Sequence, residues 1–159
     1  MTKLLDLKTK TKIINYLNSR FGIDKSFLEN YMYIIKGNSV SVVISDKKEI
    51  IQKMINSNFV KNIGIEIFSN YKDYVPSSLG FGIFKNSQIL NNFVNLDRTQ
   101  ANNYFKGKEI NTNDIKTKNL LSSGYVVCIY NNQIIGTAKY IKEETKILPN
   151  LSFVNEKIK

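Results

Sequence analysis

Apolar residues recur at helical spacing early in the chain: Ile13, Ile14, Leu17 and Phe21 fall on one face. The spacing predicts a helix over 9–21, stopped by Gly22. Asp24 is placed to cap a short second turn carrying Phe27 and Leu28. The period then shortens to that of extended chain. Tyr31-Met-Tyr-Ile-Ile35 and Val40-Ser-Val-Val-Ile44 read as two strands joined through Lys36-Gly-Asn-Ser39, with Val40, Val42 and Ile44 on one face of the second. Asp46-Lys-Lys-Glu49 is a capping-box variant. It opens a helix expected to pack Ile50, Ile51, Met54 and Ile55 and to end near Asn58. Residues 63–68 read as a strand and residues 69–77 as a polar turn region. Leu79–Phe84 reads as a further strand whose two glycines indicate a bend or a close backbone approach.

The pattern resumes with a short strand at Phe93-Val-Asn-Leu96 and a second capping box, Asp97 with Gln100. The helix behind it is expected to bury Ala101, Tyr104 and Phe105, and Gly107 ends it. Residues 111–122 read as a polar loop. A β-hairpin follows, from Gly124-Tyr-Val-Val through an Asn131-Asn132 turn to Ile134-Ile-Gly-Thr-Ala138 and Tyr140. Past Pro149 there is one apolar patch, Leu151 and Phe153. The break between halves is expected in the Asn-rich stretch 86–92, giving domains 1–91 and 92–159 in an α+β fold.

Composition then narrows the chemistry. The chain has 159 residues, 42% hydrophobic and 23% charged, enough for a packed core. No apolar run approaches the roughly 20 residues of a membrane span, and the charged N-terminus does not resemble a signal peptide. A single cysteine, Cys128, sits in an apolar strand and reads as a small buried residue, so a cytoplasmic location without internal disulfides is expected. There is no histidine, which excludes His/Cys zinc sites and imidazole-based acid–base schemes. Glu143-Glu144 alone does not make a hard-metal site. No cofactor and no catalytic role are expected. The formal charge is +10, with thirteen cations against seven acids in residues 1–91 and ten against six in 92–159. Such an excess suits a polyanionic partner, and also simple solubility.

The order strand, capped helix, Lys106-Gly-Lys-Glu-Ile110, polar loop, Gly124-Tyr-Val-Val, Ile134-Ile-Gly-Thr-Ala resembles the PUA domain, a small RNA-binding barrel, over roughly residues 92–153. Lys72-Asp-Tyr-Val-Pro-Ser-Ser78 followed by Leu79-Gly-Phe-Gly resembles the segment before the PUA part of Nol/Nop/Sun-type RNA cytosine methyltransferases. The arrangement as a whole, an α/β pre-PUA module followed by a small mixed β-barrel, is also similar to small ribosome-biogenesis factors of archaea and the nucleolus. The resemblance implies a protein binding ribosomal or transfer RNA. It departs from the methyltransferases in lacking a G-x-G-x-x-G loop, room for their catalytic domain, and a second cysteine. What remains is an RNA-binding part, acting alone or beside a catalytic partner. The alternative is an adaptor that docks such a partner or a ribosomal protein.

Carried onto this sequence, the RNA surface implied by the resemblance involves Arg98, Lys106, Gly107 and Lys108 on the second-half helix, and Lys139, Tyr140 and Lys142 on and after the late strand. Lys and aromatic residues are the expected types, for phosphate contact and base stacking. Gly107 has no Cβ to keep a phosphate from its N–H, although capping explains it equally. Lys106 and Lys108 would also complement the helix dipole. Lys139 and Tyr140 alternate across a strand, so at most one of the pair faces RNA. Lys116 and Lys118 lie in the polar loop. Lys72 and Tyr74 lie in the segment before Pro76, where a plain turn is the competing reading.

Overall fold

A strand of three residues comes first. In the structure, a computed structural model that describes residues 2–44, 47–57 and 62–151, β1 (Thr2–Leu4) pairs antiparallel with the later strand β2 (Tyr31–Lys36). Helix α1 (Leu7–Phe21) follows, capped by the Asp6 carboxylate on the Thr9 N–H at 2.9 Å and closed by Gly22 in the left-handed region. Ile13, Ile14, Leu17 and Phe21 are all buried. Helix α2 (Lys25–Glu29) is capped by Asp24 as expected. Strands β2 (Tyr31–Lys36), β3 (Ser39–Ile44), β4 (Ile65–Asn70) and β5 (Val75–Pro76) complete an antiparallel sheet ordered β1-β2-β3-β4-β5. Helix α3 (Lys48–Asn56) connects β3 to β4.

The β2 run is continuously apolar because both faces of the sheet are covered. Tyr31, Tyr33 and Ile35 pack with α1, whereas Ile34 and Met32 pack with Ile51 of α3. Val40 and Val42 join the α1 side, but Ile44, on the same face, is 75% exposed at the strand end. Of the four apolar residues expected to pack from α3, Ile51 is buried, Met54 and Ile55 are partly buried, and Ile50 is exposed. Asp46, Asn58 and Phe153 lie outside the described residues.

Leu79–Phe84 is not a strand. Gly80–Ile83 forms a single 3₁₀ turn that brings Phe81 and Phe84 to one side, ring centroids 5.4 Å apart, both buried. A Cβ at Gly80 would lie 1.7 Å from the Glu66 carbonyl oxygen, so the close backbone approach expected there is present. A second 3₁₀ turn, Asn86–Gln88, leads to the second half.

There β6 (Phe93–Asn95) precedes α4 (Arg98–Phe105), whose Asp97/Gln100 capping box is formed. Ala101 and Tyr104 are buried, but Phe105 is 53% exposed. The polar stretch 111–122 is more ordered than its composition implies. It holds the end of β7 (Ile110–Asn111), a 3₁₀ turn and β8 (Thr117–Asn119). As an edge strand, β8 needs few apolar side chains. The hairpin forms from β9 (Gly124–Tyr130) and β10 (Gln133–Ile141), and its Asn131-Asn132 turn has φ of 48° and 61°, the type I′ signature. Strand β11 (Lys146–Pro149) closes the order β7-β11-β10-β9-β6-β8, in which only the β6–β9 pair is parallel. The whole is mixed α+β with a curled half-barrel sheet. No helix among the described residues is long and apolar enough to cross a membrane.

The central hairpin is covered on both sides. Val126, Cys128, Ala138 and Tyr140 face α4, while Val127 and Ile129 enter the core built by α1 and the first sheet. Polar contacts join the halves as well. The Arg20 guanidinium donates to the Tyr125 carbonyl at 2.8 Å and to Ser122 Oγ and O at 2.7 and 3.0 Å. The buried Ser78 hydroxyl donates to the Asn150 carbonyl at 2.5 Å and accepts from the Thr137 N–H at 3.2 Å. With its proton so used, Ser78 accepts from the Thr137 hydroxyl at 3.1 Å, which in turn accepts from Asn150 Nδ2 at 3.2 Å.

Candidate nucleic-acid interface

The cations singled out from sequence are exposed, yet they do not form one surface. Lys106, Gly107 and Lys108 are open at the C-terminus of α4. Gly107 has φ 69° and donates its N–H to the Tyr104 carbonyl at 2.9 Å, while the Lys108 N–H reaches the Asn103 carbonyl at 2.9 Å. This closure consumes the amide that was expected to meet a phosphate. Anion contact at this rim therefore falls to the two ammonium groups. Arg98 is exposed in the first turn of α4, about 12 Å along the axis from Lys106 at helical rise.

Tyr140 does not reach the surface: it is 8% exposed and belongs to the α4-side core. The pleat instead sends Lys139 to the opposite face, beside its cross-strand partners Tyr125 and Leu148. Lys139 and the Lys106/Lys108 rim thus lie on opposite sides of the central sheet. Lys142 is exposed in the β10–β11 turn, whose backbone is tied to Ser123 Oγ at 3.0 Å. The neighbourhood is acidic, with Glu143 adjacent and Lys146 engaged by Glu144 at 2.5 Å and Glu109 at 3.1 Å. Lys116 and Lys118 are exposed on and beside the edge strand β8, and the Lys118 ammonium donates to the Ile115 carbonyl at 2.8 Å.

Lys72 and Tyr74 sit in the β4–β5 turn. Lys72 is exposed, and Tyr74 adopts φ 50°, a left-handed conformation unusual for a bulky residue. Its ring stacks on Tyr16 of α1, centroids 4.1 Å apart and planes 13° from parallel. Tyr16 was not singled out from sequence. A signal was there: Lys12, Tyr16 and Arg20 recur at four-residue spacing on a helix, Leu7–Phe21, that contains no acidic residue. Burial pushes the Tyr16 hydroxyl pKa up to about 12.

Two buried groups elsewhere have their pKa values raised by desolvation. Cys128 is fully buried in apolar surroundings, which push its thiol pKa up and away from the thiolate. Tyr104 is buried, donates to the Thr137 carbonyl at 2.9 Å, and has its pKa raised by desolvation.

Compared with known proteins, the chain matches no family model and no curated sequence.

Proposed function

We propose that this protein is a non-catalytic RNA-binding protein of the pre-PUA plus PUA type, acting in the cytoplasm in ribosome biogenesis or in the modification of ribosomal or transfer RNA. The observation that carries this reading is the open rim at the end of α4, where Lys106 and Lys108 flank Gly107 without an ion pair to any described residue. The overall charge of +10 supports it. Glu109, the nearest acid in sequence, is held by Lys146 at 3.1 Å, which offsets its repulsion of a phosphate. Structured RNA is gripped here through its backbone, so affinity is salt-dependent and only weakly sequence-dependent.

The test is anisotropy with a labelled RNA hairpin over a salt series. The wild type should bind, and log affinity should fall linearly with log salt. The K106A/K108A variant should bind more weakly, with a slope shallower by about 1.4 to 1.8 for two lost phosphate contacts and an unchanged melting temperature. Flat salt dependence, or unchanged affinity in that variant, removes the rim from the site.

A further inference from the structure

The Tyr16–Tyr74 stack lies apart from the α4 rim, and its surroundings have a composition of their own. Both rings are half-buried: their inner edges pack on Phe68, at 6.0 and 6.2 Å between centroids, and their outer parts border solvent. One shallow depression beside the pair is lined by Lys12, Asn15, Ser19 and Lys25 as well as the two tyrosines. A second, across Tyr74, is lined by Thr9, Lys12, Tyr71 and Lys72. Lys12 and Lys72 are exposed and make no ion pair with a described residue. The acid on the same turn, Asp73, accepts from Asn70 Nδ2 at 2.6 Å and is felt by the Tyr125 hydroxyl. Arg20, one turn along α1 from Tyr16, is committed to the second half.

Tyr74 is held in a backbone conformation that asparagine or glycine adopts at less cost. A turn needing only that geometry has no use for a large ring. The strain is offset by the stack, which fixes a flat aromatic platform between two lysine-bearing hollows. Such a pairing of π-faces with flanking ammonium groups is what unpaired nucleotides require.

We propose that the Tyr16–Tyr74 stack, with Lys12 and Lys72 beside it, is a second RNA site that takes an unpaired base and its flanking phosphates from a single-stranded segment. It rests on the RNA-binding reading above and extends it to a different face of the molecule.

The test uses the full chain and a fluorescein-labelled oligouridine of about twelve nucleotides, within the span of small single-strand binding sites. Nine tyrosines and no tryptophan make intrinsic emission a tyrosine signal, so stacking should quench it. Y74N, which keeps a residue tolerant of positive φ, and Y16L should each weaken oligouridine binding about tenfold. K12A/K72A, confined to exposed side chains, should lower the salt slope by about 1.4 and serves if a ring variant unfolds. If all three bind oligouridine like wild type while K106A/K108A does not, this site is wrong and the RNA reading stands. If the wild type binds neither oligouridine nor the hairpin, both fall.

Discussion

At the residue scale, Gly136 shows how one missing Cβ locks the two layers of the second half together. It sits at a register shift in the β9–β10 pairing with φ 149°. A Cβ there would lie 2.2 Å from Tyr104 Oη, the atom that donates to the Thr137 carbonyl. The α4 helix therefore seats on the hairpin only because position 136 is bare. G136A should destabilise the fold by about 1–3 kcal/mol, as overpacked cores do. Urea unfolding of G136A in the wild-type and Y104F backgrounds separates the causes. The cost should shrink without the Tyr104 oxygen, and an equal cost in both would place the whole effect in the backbone. Lys139 and Tyr140 make the same point for the site: neighbours in sequence, they occupy opposite faces, and only the lysine is available to a ligand.

At the element scale, α1, α2 and α4 are each opened by an aspartate cap, and α1 and α4 each bury one apolar stripe. In α4 the Asp97 carboxylate accepts from the Gln100 N–H at 2.8 Å, and the Gln100 side chain accepts from the Asp97 N–H at 3.0 Å. Gln100 Nε2 also donates to the Asp114 carbonyl at 3.0 Å, tying the cap to the turn before β8. D97A should cost about 1 kcal/mol, lowering the melting temperature by about 2–4 °C for a chain of this size. Thermal melts followed by circular dichroism check it, and no shift would mean the cap contributes nothing net. The strands divide by the same logic. The β9–β10 hairpin was legible because its turn chemistry is local and its strands are long. By contrast β1 and β11 were not, because three or four residues carry no period and their pairing is decided by distant partners.

At the scale of the whole molecule, the halves share a core. Val127 and Ile129 of the second sheet pack among Phe21, Phe81 and other residues of the first half, and Arg20 and Ser78 reach across with hydrogen bonds. Unfolding should accordingly be cooperative. Far-ultraviolet dichroism and tyrosine emission should report one coincident urea transition. R20A should lower its stability by about 1.5–3 kcal/mol, the range for bonds to a charged donor, without splitting it. Two separated transitions in the wild type would show that the shared core does not couple the halves.

Taken alone, the order of residues determined what acts over a few positions: the α1 and α4 stripes, the two aspartate caps at Asp24 and Asp97, the αL stops at Gly22 and Gly107, and the type I′ turn at Asn131-Asn132. These follow from helical period, hydrogen bonding within a turn, and the steric limits of φ. Tertiary structure decided which faces are covered and which cations share a surface. Covering a sheet on both sides erases the alternation that marks a face, as in β2 and β9, so exposure there cannot be read from pattern. It was packing that buried Tyr140, turned Lys139 away from the α4 rim, and set Tyr74 on Tyr16 from a strand turn some fifty-eight residues away.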